Sequence, residues 1–431
     1  MPRTFHIVTL GCDKNTVDSE QIAGILVHSG KFSMTDYHHA DIIIINTCAF
    51  IDAAKEETID VIMDAIEHKK NAKKNILLIG AGCIVETDKE ELQKEIPEVD
   101  LWLKPSEYNM VVDRIAGKNI AVSDTKGYIS DFSERIAIDH PHYRFLKISD
   151  GCNMACSYCT IPLIRGALSS RPLNSIRKEL DILSQDPRIK ELILVSQNTL
   201  FYGSDTHTHS IIDILELLGK YSFQWKRLMY LDIRRLNDDV LSAMKSNGIL
   251  PYFDIPLQHV NEKVLHSMNR PYTQKEILTS IERIHHHFSD PILRTTFITG
   301  FPTETHEAFN ELKQFVSRGL FHKVGVFAYS MQERAPGAHL GDTIDDEEKE
   351  RRRDEIMELQ QEISTDIMSV YIGRDVDVLI DYSGEEGRMW TDAPDVDGVV
   401  YVNSTEVLEG EMHRVHIVES YEYDLEGEVL D

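Results

Sequence analysis

The chain has 431 residues, 42% hydrophobic and 27% charged, which suits two or three globular domains, each with a full core. Its 72 acidic and 45 basic residues give a net charge of −27, an excess that by itself describes a solvated surface. No apolar run approaches the length of a membrane span, and "MPRTFHIVTLG" lacks a signal-peptide layout, so the expected compartment is the cytoplasm.

The first third alternates apolar runs with helical patterns. "FHIVTL" precedes a helix over about 16–28, "DIIIIN" precedes "AAKEETIDVIMDAIEHKK", and "NILLIG" precedes a helical stretch containing "DKEELQKEI". Continuous apolar strands separated by helices predict a parallel sheet covered on both faces. A second strand–helix series begins at "YRFLKIS" and continues through "ELILVS", "KRLMYLDI", "LPYFDI", "ILRTTFIT" and "KVGVFAYS". Six strands are too few for an eightfold barrel and predict an incomplete one, open on one side. After a charged helix, "DDEEKERRRDEIMELQQEIS", the tail changes to short strands separated by Gly, Pro and Asp, the signature of a small β-barrel or sandwich. The fold class is therefore multidomain α/β. Expected bounds are 1–125 for the N-terminal domain, 126–140 for a linker, 141–366 for the partial barrel and 367–431 for the β domain.

In a reducing compartment six cysteines are ligands or catalysts before they are disulfides. Cys152, Cys156 and Cys159 share a C-x3-C-x2-C loop directly after the first strand of the second series. Three thiolates this close can hold a four-iron cluster on three corners and leave one iron open. Zinc is the alternative, but it lacks a fourth ligand nearby, because His140 and His142 lie on the other side of a strand. The loop, with Tyr158 before its last cysteine, resembles the radical S-adenosylmethionine signature. That resemblance implies that the open iron binds the amino and carboxylate groups of S-adenosylmethionine and that Tyr158 sits near the adenine. Gln197 and Arg294, at or in barrel strands, are further candidate contacts to this cofactor.

Cys12, Cys48 and Cys83 each follow a strand at once, in "TLGC", "INTC" and "IGAGC". Ligands of open parallel sheets bind at the carboxyl ends of strands, so these thiols are expected to converge on one edge. A lone free cysteine is often a buried small hydrophobe. Three in equivalent places argue instead for a second three-cysteine iron–sulfur site, and Gly11 and Gly82 stand beside two of them, where backbone must approach a bulky ligand.

Over essentially its whole length the chain resembles the radical S-adenosylmethionine methylthiotransferases, through "LGCDKNTVDSE", "NTCAFIDAAKEE", "GCNMACSYCTIPLIRG", the following "SSR", and "DIPLQH". The tail corresponds to that family's TRAM domain. "GCDKN", "NTCAFIDAAKEE" and "GRMWTDAPDVDG" resemble its RimO branch, which modifies small-subunit ribosomal protein S-twelve, more than the tRNA-modifying branch. The resemblance implies methylthiolation of an aspartate β-carbon in that protein. It also implies two 4Fe-4S clusters, S-adenosylmethionine in two roles, and a reductase or a flavodoxin- or ferredoxin-type electron donor. The alternatives are a tRNA adenosine methylthiotransferase and a non-catalytic iron–sulfur protein. The chain departs from the family pattern at Asn198, where aspartate is common, and at Thr303, where glycine is usual.

From Ser369 to Asp431 there are 17 acidic and 3 basic residues, a charge of −14. Such a segment repels a phosphate backbone and suits a basic protein such as S-twelve, free or in the small subunit; direct nucleic-acid binding is not expected. No catalytic side chain beyond the cluster ligands is singled out. His285, His286 and His287 end a helical pattern, where neighbouring side chains diverge and suit the helix dipole better than a shared ion. Arg351, Arg352 and Arg353 read as a solvated helix face with i, i+4 pairs.

Overall fold

The computed structural model describes residues 2–49, 51–118, 134–404 and 406–430. Strands β1 (Arg3–Thr9), β2 (Phe32–Met34), β3 (Ile42–Thr47), β4 (Leu77–Gly82) and β5 (Leu101–Leu103) form a wholly parallel sheet in the order β2-β1-β3-β4-β5. Every residue of β3 is buried, and its isoleucines alternate between two cores: Ile43 and Ile45 on one face, Ile42 and Ile44 on the other. A strand apolar on both faces is stable only inside a sheet covered on both sides. Helices α2 (Asp52–Asn71) and α3 (Cys83–Glu95) cover the first face, and α1 (Asp13–His28) covers the second. Helix α1 starts three residues before the expected position, with Cys12 as its N-cap. The stretch "DKN" has no apolar residue to reveal the period, yet Asp13 in the first turn suits the helix dipole.

The second series contains β6 (Tyr143–Lys147), the short antiparallel pair β7 (Ser149–Asp150) and β8 (Ser169–Ser170), then β9 (Glu191–Val195), β10 (Trp225–Leu228), β11 (Tyr252–Asp254), β12 (Ile292–Thr299) and β13 (Lys323–Ala328). Two three-stranded parallel sheets, β10-β9-β6 and β11-β12-β13, meet where the Leu231 and Leu250 N–H groups donate to Asp254 and Lys226 carbonyls, each at 2.8 Å. The result is one curved series of six strands, the expected open partial barrel. In such folds the carboxyl ends of the strands carry the chemistry.

The tail is a closed barrel of β14 (Asp375–Tyr382), β15 (Glu386–Arg388), β16 (Val400–Val402), β17 (Met412–Ser420) and β18 (Leu425–Val429), in the order β14-β15-β16-β18-β17. Its core is Val378, Ile380, Val400, Val402, Val415 and Ile417. Strand β15 ends at Arg388, and the residues after it plug the amino ends of the large barrel. Arg388 bonds Glu191 at 2.6 Å and Asp381 at 2.7 Å. Asp397 accepts from the Tyr252 hydroxyl at 2.6 Å, and Trp390 and Ala393 pack with Tyr143, Tyr252 and Ile292. One end of the partial barrel is therefore sealed by the C-terminal domain, and only the other is left for substrate.

Of the expected linker 126–140, residues 126–133 lie outside the described residues. The rest is packed between domains: Ile136 and Ile138 join the N-terminal core, and Arg135 pairs with Glu20 and Glu179. Its contacts mix apolar packing with ion pairs over a stretch too short to show a period. The helix Asp346–Ser369 leads into the tail. Arg351 makes the expected pairs with Glu348 and Glu355, but Arg352 turns inward to Glu304 at 2.8 Å and is buried. His287 pairs with Asp238 at 2.9 Å. No helix among the described residues is long and apolar enough to cross a membrane.

Candidate active site

The compact cysteine loop leaves the carboxyl end of β6 and is held at its neck by the β7–β8 pair and by the Cys152 N–H, which donates to the Gly166 carbonyl at 3.1 Å. Gly151 takes φ +68°, and a Cβ there would stand 2.1 Å from the Ala167 carbonyl oxygen, so only glycine lets the chain turn into the loop. The Ser157 N–H donates to Met268 O at 3.1 Å, and the Asn269 amide donates to Ala155 O at 2.7 Å. The loop is thus fixed to the opposite side of the barrel. Arg270 stands beside Cys156, with Nη1 at 3.9 Å from its sulfur.

The second triad sits on the three central strands, β1, β3 and β4, which are neighbours in the sheet. Cys12 follows β1 after two residues, Cys48 follows β3 and Cys83 follows β4. Two glycines bring them together. Gly11 has φ +88°, and a Cβ on it would lie 2.8 Å from Cys48 Sγ; Gly82 has φ +108°, and its Cβ would lie 2.4 Å from Thr47 O. Cys12 caps α1 and Cys83 opens α3, so both sulfurs lie at helix N-termini, where the dipole favours negative charge such as a thiolate-bound cluster. Burial pushes the Cys83 thiol up to about 12, against the pull of Arg165, and burial likewise pushes Cys159 to about 12. In metal-free protein both are therefore neutral thiols, and metal binding displaces their protons.

A buried ionic seam joins the two triads. Arg165, six residues beyond Cys159, reaches Asp18 at 2.6 Å, Asp150 at 3.4 Å, Asn15 at 2.7 Å and Cys83 Sγ at 3.2 Å. Lys147, the last residue of β6, pairs with the same two aspartates. Asn15 also donates to Leu10 O at 2.8 Å and Thr47 O at 3.1 Å, lacing the ends of β1 and β3 together. Beside the seam, the Lys14 ammonium lies 3.4 Å from the Tyr230 ring centroid, and the Tyr230 hydroxyl donates to Asp13 at 3.0 Å. Sequence reasoning did not single out Arg165, Lys147, Asn15, Asp18, Lys14, Tyr230 or Arg270. The hint is that Lys14, Asn15 and Asp18 fall within "LGCDKNTVDSE" and Arg165 within "IPLIRG".

The donor sets can be tested against zinc and against clusters. A single zinc bound at about 2.3 Å by each thiolate draws the sulfurs to within about 4 Å of one another. Among the described residues, the close group of His, Cys, Asp or Glu ligand atoms is His140, His142 and Glu409, within 4.8 Å of one another, and it contains no cysteine. A four-iron cluster spaces its thiolates over separate irons and can leave one iron to a non-protein ligand, so a set of three cysteines suits it. S-adenosylmethionine also finds partners. Around the Cys152 loop the buried atoms Gln197 Oε1, Asn198 Oδ1 and Arg270 Nε have no hydrogen-bond partner. Two acceptors and a cationic donor suit an ammonium and a carboxylate.

Of the residues expected to touch this cofactor, Gln197 stands at the open end and donates to Asp150 at 3.0 Å. Tyr158 stands there too, half-buried near Arg270 and packed with the cluster of Met268 and Phe301. Arg294 does not join them. It is the third residue of β12, near the sealed end, bonded to Asp254 at 2.8 Å and 3.5 Å from Asp397. Asn198 donates to Asp232 at 3.1 Å, a contact an aspartate would turn into repulsion.

Family models match residues 4–104 (Uncharacterized protein family UPF0004), 146–316 (Radical SAM superfamily) and 372–430 (TRAM domain). The ribosomal protein uS12 methylthiotransferase RimO of Aquifex aeolicus is 41% identical, over 99% of this chain and 98% of its own length. That of Bdellovibrio bacteriovorus is 38% identical over the same shares. That of Thermotoga maritima is 37% identical over 98% of this chain and 99% of its own. Among solved structures, the radical S-adenosylmethionine methyltransferase TsrM from Kitasatospora setae superposes with a TM-score of 0.62 at 12% identity, covering 78% of this chain and 77% of that one. OxsB, a cobalamin-dependent S-adenosylmethionine radical enzyme, gives 0.53 at 13% identity, over 82% and 56%. These two likenesses concern the fold alone. The end-to-end match to the curated relatives carries the assignment: the chain belongs to the RimO family of radical S-adenosylmethionine methylthiotransferases.

Proposed function

We propose that this protein transfers a methylthio group to the β-carbon of an aspartate in ribosomal protein uS12. The observation that carries the reading is the pair of separate three-cysteine sites, each one ligand short, joined through Arg165. When bound, a cluster on Cys152, Cys156 and Cys159 with S-adenosylmethionine supplies the hydrogen-abstracting radical, and a cluster on Cys12, Cys48 and Cys83 supplies sulfur.

The chain's own side chains then do four things. Gln197, Asn198 and Arg270 pair with the amino-acid end of S-adenosylmethionine, and Tyr158 packs near its adenine. Asp150 links the two ends of the site by accepting from Gln197 and pairing with Lys147 and Arg165. The seam excludes water between the triads, since Asp18, Asp150, Lys147 and Arg165 are all buried. The C-terminal barrel recruits the substrate. It exposes Asp375, Asp377, Glu419, Glu422 and Glu428 beside Tyr401, Tyr421 and Tyr423, a surface complementary to a basic protein. A one-electron donor of the flavodoxin or ferredoxin type completes the system.

Mass spectrometry of uS12 from cells with and without the gene tests this reading. The aspartate-bearing peptide is expected to carry a methylthio group only when the gene is present. An unmodified peptide in both strains, with a methylthiolated adenosine in tRNA that follows the gene, would move the protein to the tRNA-modifying branch.

A further inference from the structure

The end of β6 opposite the Cys152 loop carries a second kind of donor set. His140 and His142 lead into the strand, and Glu409 lies between β16 and β17 of the C-terminal barrel. Glu409 Oε1 stands 2.9 Å from His140 Nδ1 and 3.4 Å from His142 Nδ1. The ligand atoms of all three residues lie within 4.8 Å of one another, a group of the kind that could gather onto one ion.

The outer nitrogens of both rings are already engaged. His142 Nε2 lies 2.7 Å from Asp381, which Arg388 also bonds at 2.7 Å, and His140 Nε2 lies 3.2 Å from the Tyr382 hydroxyl. A carboxylate only accepts, so His142 Nε2 donates to Asp381, and Nδ1 is the ring atom left for a metal. That nitrogen belongs to a side chain with 0% exposure, has no hydrogen-bond partner, and faces the Glu409 carboxylate. Glu409 Oε1 also bonds His140 Nδ1, so the three side chains converge on one place at the edge of the barrel. The backbone is arranged to press them together. Gly410 takes φ +81°, and a Cβ there would come within 2.9 Å of His142 Cβ, so only glycine lets Glu409 approach the ring.

We propose that His140, His142 and Glu409 bind a divalent cation, with Zn²⁺ the ion that fits. Two imidazoles and a carboxylate are a zinc donor set, poor in oxygen for magnesium or calcium and without the sulfur that soft ions prefer. Asp381 and Tyr382 hold the imidazoles in the orientation a metal needs. The three ligands come from two domains, so the ion staples the C-terminal barrel onto the first strand of the large barrel. The site shares no residue with the cysteine triads and is independent of the reaction.

The test uses cluster-loaded protein, equilibrated anaerobically with zinc chloride, dialysed against zinc-free buffer, and analysed for zinc and iron by plasma mass spectrometry. Wild-type protein is expected to keep about one zinc per chain. His140→Ala and Glu409→Gln are expected to keep none above background, with iron unchanged. Both replaced side chains reach the surface, so the fold survives, and circular dichroism checks it. Zinc-edge X-ray absorption of the wild type supplies a second reading, expected to show nitrogen and oxygen ligands without sulfur. No zinc retained by the wild type, equal zinc in the variants, or sulfur around the zinc would each overturn the proposal.

Discussion

Cys152, Cys156 and Cys159 share one loop, whereas Cys12, Cys48 and Cys83 lie 36 and 35 positions apart and meet only because β1, β3 and β4 are adjacent. The first triad is local in sequence, shaped by a glycine turn and a two-residue strand pair and tied across the barrel to Met268 and Asn269. The second is a product of tertiary structure: sheet order, register, and two glycines that let the strand ends close up. A local triad tolerates loosening of the rest of the chain, and a tertiary one does not. Two three-cysteine sets on such different supports give a direct way to separate their roles.

The largest effect is expected from Gly82→Ala. A Cβ there meets Thr47 backbone atoms at 2.4 and 2.5 Å and forces a left-handed residue. About half of roughly eight irons per chain should be lost, with loss of sulfur transfer but not of S-adenosylmethionine cleavage. Iron analysis and cleavage assays check this; loss of both activities together would break the distinction between the supports. Arg165→Ala should damage both triads at once, because it leaves buried Asp18 and Asp150 without one of their two cations. The expected cost is about 3–5 kcal/mol, read by denaturant unfolding, with iron falling at both sites.

Glu179→Gln is the control, since Glu179 bonds Arg135 and Arg171 and not a residue of either triad. Burial alone would raise the Glu179 carboxyl, but Arg135 and Arg171 outweigh it and hold it below the ordinary 4.5. A depressed carboxylate adds stability that is complete above its unfolded value and is lost as pH falls through the folded one. The variant should therefore be less stable at neutral pH, with the gap closing as pH falls below about 4.5, and its clusters intact at neutral pH. Urea unfolding across pH measures the gap.

Much of this fold was readable in advance, because its signals are periodic or clustered. The isoleucine run of β3 announced a sheet buried on both faces, and six strand patterns announced an incomplete barrel. "TLGC", "INTC" and "IGAGC" placed three cysteines at strand ends before any pairing was known. What the sequence hid are contacts between distant segments. Arg165 bonds a helix in another domain, Arg135 sits in a stretch without a period, and Arg388 and Asp397 plug a barrel that ends long before them. A single charged residue looks the same in a sequence whether it faces water or a buried partner. Arg294 illustrates the cost: its strand was recognised, but not that its position near the amino end would place it against the plug.

The central claim is that the two triads carry separate chemistry, and Cys83→Ala compared with Cys156→Ala tests it most directly. Each variant, prepared anaerobically with iron and sulfide, is assayed for reductive cleavage of S-adenosylmethionine and for methylthiolation of uS12. Cys83→Ala is expected to cleave S-adenosylmethionine and transfer nothing to uS12, whereas Cys156→Ala should do neither. A methylthiolated uS12 peptide from the Cys83→Ala enzyme would contradict the account.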